Sequence, residues 1–497
     1  RGLYNSTDGG NTWKRILHVS DDTGISDVVM DHNDHNTMYA STYQRRRHFG
    51  ILVAGGPEGG IFKSTDRGKT WKKLNKGLPS GDIGRIGLAI SPQKSNVVYA
   101  LITAKEKTKG FYRSDDHGET WIKMSDYQVV DSQYYVEIFP DPHQFDKVYS
   151  VDMRSYVTED GGKTFSRIPE NKKHVIMVNV EADVTCGKYL SDLAKKNNVI
   201  CSMAYGDQPS LILEQIEWAR LNGFEVICAG KGTKYHPSFE YSTPDTVWGH
   251  YGLTKERAEN ESGMNPKMFN SFLCGDKSAI EMCAVSNAAN LKCPSNGLTF
   301  PPVGVYDIAK KMIPKKDGGL IDSEGQVEVI SSIDLEKKDI ENDLRWGVYI
   351  VLKAKNEYVK NCFKDYGMVT DSSGNYSAIW RPYHYIGLEL AQSIYSIALD
   401  NRATGFTKNY NAEVASIAKK DLKKGEKLDG EGGFCARGRL ITSEKSKKEK
   451  ILPLGLTDNA ILKKDISKDE IIKIEDVELN LPDEVLEARN YQYNLIN

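Results

Sequence analysis

The sequence predicts a multidomain chain: a partial β-propeller, then an incomplete doubly wound α/β sheet, an α+β substrate and dimerisation domain, and a small β-rich module. Three observations predict it. A box of eight residues centred on Asp recurs four times before residue 172, apolar strands alternate with helices from His174, and short strands with Lys-Gly-Glu turns follow residue 412. The corresponding segments are 1–172, 173–240, 241–411 and 412–497.

With 497 residues, the chain is too long for one core and has the length of three or four domains. It is 39% hydrophobic and 27% charged, with a formal net charge of -2, which excludes disorder, collagen and coiled coil. That balance gives no basic excess to hold nucleic acid or an anionic membrane. No apolar run reaches the eighteen or so residues of a membrane span. The first residue is Arg1, and no charged-then-apolar leader precedes the first box, so the chain reads as a piece of a longer protein. All eight cysteines lie beyond residue 172, without a C-x-x-C pair, and so read as reduced thiols of a cytoplasmic segment.

The boxes are Ser6-Thr7-Asp8-Gly9-Gly10-Asn11-Thr12-Trp13, Ser64 to Trp71, Ser114 to Trp121 and Thr158 to Phe165, spaced 58, 50 and 44 residues apart. Ser or Thr and Asp can bond nearby amides, Gly takes a positive φ, and the aromatic folds back as a plug, which is the chemistry of a tight hairpin. A strand leads into each box, as Gly60 to Lys63 does, so the spacing fits one four-stranded blade per box. About three blades are present where a ring needs four to eight, so closure is not predicted. These motifs resemble the Asp-box (BNR) repeats of sialidases, sortilin-type receptors and secreted glycan-active hydrolases. The resemblance implies that the boxes are turns remote from any catalytic centre, and that glycan or protein is the partner. Arg45-Arg46-Arg47 reads as a solvated loop.

From His174, strands at Val175–Asn179, Val199–Ala204 and Phe224–Ala229 alternate with helices at Tyr189–Lys196 and Leu211–Leu221. This is the rhythm of a parallel, Rossmann-like sheet, whose strand ends carry the ligand. Polar strand ends fall at Asn179 to Asp183 and at Tyr205-Gly206-Asp207-Gln208-Pro209. Phe269 to Asn287 reads as one helix, with Lys277 and Glu281 four apart on one face. Lys277 is suited to polarise a carbonyl oxygen, and the plain reading of the two is a surface i,i+4 pair. Lys231 and Lys234, in a loop after the third strand, are suited to hold a carboxylate or phosphate. His250 and His384 lack ligands at metal spacing, so no metal site is expected. Ser443 to Lys450 reads as a solvated loop.

The stretches Val178 to Thr185, Ala204 to Pro209, Ala229 to Tyr235, Asn265 to Phe272, Gly297 to Pro302, Asp343 to Tyr349 and Arg381 to His384 resemble the homoserine-dehydrogenase-like oxidoreductases with a C-terminal SAF (β-clip) domain. The resemblance spans about residues 174 to 490. It implies NAD or NADP as cofactor, a small polar hydroxy or oxo substrate and a homo-oligomer formed through the middle domain. It also implies Lys277, Glu281 and Asp207 as catalytic residues, Asn179, Glu181, Gly206 and Pro209 at the cofactor, and Lys231 and Lys234 at the substrate. Two departures stand out. Asn179-Val180 replaces the family's Asn-Lys pair, and none of the 43 glycines forms a G-x-G-x-x-G turn. The junction Asn171-Lys172-Lys173-His174-Val175 has no linker character, so the chain reads as a chimeric fusion of unrelated genes in which two incomplete modules meet without a spacer.

Overall fold

The computed structural model describes all residues except 49–50, 106, 131–134, 153, 169–172 and 497. The chain divides into two compact units, Arg1–Asn171 and Lys172–Asn497. Asn171 and Lys172 of the junction lie outside the described residues.

In the first unit a two-stranded hairpin, β1 (Leu3–Asn5) and β2 (Lys14–Leu17), precedes three antiparallel four-stranded blades. The first blade is β3 (Thr23–Met30), β4 (Met38–His48), β6 (Gly60–Ser64) and β7 (Lys72–Leu74), with β5 (Ile51–Ala54) paired to β4 beyond it. The second is β8 (Ile83–Ile90), β9 (Val98–Ala104), β10 (Gly110–Ser114) and β11 (Ile122–Ser125). The third is β12 (Ile138–Pro140), β13 (Val148–Ser150), β14 (Tyr156–Thr158) and β15 (Ser166–Arg167).

Each box is the hairpin between the last two strands of its sheet, and its bonds are those its residue types foretold. In the second box Gly68 N donates to Ser64 Oγ at 2.8 Å, Thr70 N to Asp66 Oδ1 at 2.9 Å, and Trp71 Nε1 to Gly68 O at 3.0 Å. The hydroxyls of Thr12 and Thr70 help hold the Asp8 and Asp66 carboxyls down to about 2. A carboxylate that stays ionised this far below neutrality exchanges no proton at ordinary pH, which fits a turn and not an acid or base. Trp121 is 3% exposed in the core with Tyr39, Ile86 and Ile102. Trp13, whose hairpin has no inner strands among the described residues, is 64% exposed. Arg45 to Arg47 are not a loop: they lie in β4 opposite Ala54 to Leu52, and Arg46 pairs with Asp22.

In the second unit β16 (Val175–Met177) and β17 (Cys201–Met203) form a two-stranded parallel sheet joined by α1 (Val180–Lys196). Among the described residues this sheet has no third strand; irregular chain meets β17, with Met203 N donating to Gly405 O at 2.7 Å. After α2 (Gln208–Leu221), the third expected parallel strand, β18 (Glu225–Thr233), leaves that sheet. It pairs parallel with β19 (Gln326–Ser331) and antiparallel with β20 (Val348–Lys353), and β21 (Tyr376–Arg381) completes a mixed sheet in the order β19-β18-β20-β21. The physical reason is edge length: β19 and β20 each offer six residues to pair, whereas β17 has three.

Of the incomplete doubly wound sheet that was expected, β16, α1 and β17 thus form one βαβ unit, and the third strand belongs to the mixed sheet. The expected helix over 269–287 is likewise two, α4 (Pro266–Cys274) and α5 (Asp276–Ala289), broken at left-handed Gly275 and preceded by the short α3 (Val247–Tyr251). α5 is buried from Ser278 to Ala289 and packs on α2 and on β22 (Ala412–Ala418) and β23 (Ala436–Thr442) of the C-terminal module. The two Lys-rich echoes of that module face each other, Leu422 and Ile466 exchanging backbone bonds of 2.9 and 3.0 Å. Ser443–Glu449, expected as a loop, is a short helix capped by Thr442. All eight cysteines are free.

Candidate active site

Four helix starts and one glycine-rich loop converge in the second unit. Asn179 is not at a strand end but caps α1, its Oδ1 accepting from Ala182 N at 2.8 Å. That places Glu181 in the first turn of α1, where its carboxylate pairs with the ammonium of Lys277 in the first turn of α5. Lys277 and Glu281 are therefore not a surface pair: Glu281, one turn on, pairs with Lys231, both side chains being about 95% buried at 6% and 4% exposed. Lys231 is not in a loop but inside β18, between Gly230 and Gly232. A Cβ on Gly230 would lie 1.7 Å from Glu328 O, so only glycine lets β18 approach β19 this closely. Asp207 caps α2, accepting from Gln208 N at 2.8 Å.

The electrostatics join these groups into one cluster. Burial first, and then the charge of Glu281, push the Asp207 carboxyl up to about 6 against the pull of Lys277 and Lys231. Burial alone would lower the Lys277 ammonium, but the Glu281 and Glu181 carboxylates outweigh it and hold the group above its usual value. Both effects follow from low dielectric and opposite charge acting together.

Lys277, Glu181 and Asn179 open on a cleft of ≈ 580 Å³, walled also by Val178, Met268 and Phe272 and by Ser271, Lys267 and Glu431. Three further candidates sit apart from it. Lys234 donates to His250 O at 2.8 Å and lies 5.8 Å from the Tyr251 ring. Gly206, at φ +96°, passes the backbone of Tyr385, and Pro209 stands in the first turn of α2. Sequence reasoning missed Glu431 and Ser271, which reach the cleft from the C-terminal module and from α4. The run Gly430-Glu431-Gly432-Gly433, a lone carboxylate among glycines, is the signal that could have found the first. Among the described residues, no group of three or more His, Cys, Asp and Glu is arranged to hold a metal ion.

Three segments match known families. Residues 206–390 match the catalytic domain of oxidoreductase DRL, residues 1–129 match Sortilin, neurotensin receptor 3, and residues 415–478 match the SAF domain. A curated relative, the vacuolar protein sorting/targeting protein 10 of Colletotrichum graminicola, is 37% identical over 79 residues, 16% of this chain and 4% of its own length. Similar solved structures include a GH74 xyloglucanase from Xanthomonas campestris, 17% identical over 32% of this chain and 24% of that one, with a TM-score of 0.26. The NanB sialidase of Streptococcus pneumoniae is 15% identical over 33% and 27% respectively, with a TM-score of 0.24. The chain thus spans a quarter or less of the length of the first relatives it matches. The expected Asp-box, oxidoreductase and SAF segments are each matched in their own part of the chain.

An oxidoreductase domain implies a nicotinamide cofactor in general, and the residues present do not fit its pyrophosphate. An anion at a helix start needs free first-turn amides and a positive local field. At α1 the Ala182 amide is taken by Asn179 and the first turn carries Glu181 and Asp183; at α2 the Gln208 amide is taken by the Asp207 carboxylate. The sequence also lacks a G-x-G-x-x-G turn.

Proposed function

We propose that the second unit is the substrate-handling part of a homoserine-dehydrogenase-like oxidoreductase acting on a small polar hydroxy or oxo compound. The observation that carries this reading is the convergence of Glu181, Lys277, Glu281, Lys231 and Asp207 beside an open cleft, four of them inside the segment that matches an oxidoreductase catalytic domain. Lys277 keeps its proton and points a charged donor at the cleft, where it binds and polarises a substrate oxygen. Glu181 fixes the direction of that ammonium, while Glu281 and Lys231 anchor α5 to β18 behind it. Asp207 stands behind the same groups, with a proton affinity close to the pH at which acid and base catalysis works. Exposed Leu388, Ile394, Tyr395 and Leu399 support homo-oligomerisation through the middle domain.

Saturation-transfer NMR with a panel of small hydroxy and oxo acids tests the reading on this chain. A member that binds the wild type and loses its signal in Lys277→Met is the expected result, and a panel that never binds overturns it.

A second reading concerns the first unit, which we propose as a binding module for glycan or protein; the Sortilin match over residues 1–129 supports it. Extracellular placement goes with that reading, and a cytoplasmic one with the free thiols of the second unit. No described helix is long and apolar enough to cross a membrane.

A further inference from the structure

The loop Asp429–Gly433 of the C-terminal module is built to hold one side chain in place. Asp429 Oδ1 and Oδ2 accept from Cys435 N at 3.0 Å and Phe434 N at 2.6 Å. Asn270 Nδ2 donates to Gly432 O at 2.8 Å, and Lys419 Nζ to Gly433 O at 2.9 Å. The fully buried Asp276 accepts from Gly432 N at 2.9 Å and from Gly438 N at 2.6 Å, tying the loop to the residue before Lys277. Gly432, at φ +66°, leaves no room for a side chain, since a Cβ there would lie 2.1 Å from Lys267 O. The residue so presented is Glu431, whose carboxyl accepts from the Ser271 hydroxyl and lines the cleft with Lys277 and Glu181.

We propose that Glu431 carries the exchangeable proton of this cleft, so that the C-terminal module is a working part of the oxidoreductase site. The elements around the cleft bring charge to it: Glu181 from α1, Lys267 from α4, Asp276 and Lys277 from α5, and Asp458 from the turn after Leu456. Lys277 is already matched by Glu181, and the Lys267 ammonium is bonded to the backbone carbonyl of Asp429, so among the described residues neither lysine is paired with Glu431. Burial, followed by the Glu181 charge, raises the Glu431 carboxyl to about 7 against Ser271 and Lys277. A neutral carboxylic acid there can donate a hydrogen bond to a substrate oxygen seated against Lys277, and as carboxylate it can accept one from a substrate hydroxyl.

The inference rests on reading the cleft as the substrate site, but its test does not. Carboxyl-¹³C glutamate in the full-length chain gives a resonance identified by its loss in Glu431→Gln. A midpoint near neutral is expected, and a carboxylate ionised at every pH above about 5 overturns the proposal. In parallel, acetylation of Lys277 is followed by mass spectrometry in wild type and Glu431→Gln. The rates should agree at pH 6, where Glu431 is neutral, and the variant should react several-fold faster at pH 9, where the wild-type carboxylate holds Lys277 protonated. An equal ratio at all pH values overturns the proposal. If Glu431 titrates near neutral while no hydroxy or oxo compound binds, the proton assignment stands and the substrate reading falls.

Discussion

Replacing Lys231 by Met leaves the Glu281 carboxylate 4% exposed, without its ion partner and beside Asp207. The shape and volume of the side chain are nearly kept, so the effect is electrostatic. Breaking a buried pair by removing one partner costs about 3–5 kcal/mol, because the remaining charge keeps its desolvation penalty and loses its attraction. The second unit, Lys172–Asn497, is larger than a typical domain, and at about 2.1 cal/mol/K of unfolding entropy per residue each kcal/mol moves its transition by about 1.5 °C, so it should melt roughly 4–8 °C lower. The double variant Lys231→Met, Glu281→Leu removes both charges and should recover most of that loss, since a well-packed apolar pair is often neutral or better. Differential scanning calorimetry of the full chain resolves this by comparing wild type, both single variants and the double variant. Single variants within about 0.5 kcal/mol of wild type, the range of surface changes, would refute the buried-pair reasoning. So would a double variant whose loss equals the sum of the singles.

Trp121→Ala should cost the first unit about 3–5 kcal/mol in urea unfolding, whereas Trp13→Ala should stay within about 0.5 kcal/mol; equal costs would contradict the packing described for the two plugs. For Asp207, the folded carboxyl at about 6 lies above its ordinary 3.8, so the native state binds the proton more tightly and its stability falls as pH rises between those values. Asp207→Asn keeps a good helix cap and removes the ionisation, so it should raise the melting temperature more at pH 8 than at pH 4; a pH-independent difference would count against the buried acid. NADH fluorescence titration should show no tight binding, because Glu181 and Asp183 in the first turn of α1 and the Asp207 cap of α2 put negative charge where a pyrophosphate would sit, and micromolar affinity would contradict that.

The Asp boxes were legible because all their bonds fall within eight residues, so residue type alone dictates Ser64, Asp66, Gly68 and Trp71 their partners. The sheet change at β18 was not legible: an apolar run such as Val226 to Ala229 shows that it is buried but not which strand lies beside it. Gly-Lys-Gly-Thr at 230–233 reads locally as a turn, and only the close approach of Glu328 and Leu344 makes those glycines strand residues. Lys277 and Glu281 were found as a pair on one helix face, yet each has its partner on another element, Glu181 on α1 and Lys231 on β18. Asn179 was recognised as special, but a cap and a strand end look alike in sequence when the helix that follows opens with Val180-Glu181-Ala182. Glu431 was missed for the opposite reason: the glycines around it mark a tight loop, but nothing near it in the chain reveals that α4 and α5 stand against that loop.

The most direct test of the central claim uses a homologous oxidoreductase that carries the G-x-G-x-x-G turn and therefore turns over. Replacing the lysine that matches Lys277 by Met removes the charge proposed to polarise the substrate oxygen, and steady-state kinetics should show kcat falling about a hundredfold with little change in KM. An unchanged kcat would contradict the account and reduce Lys277 to a structural partner of Glu181.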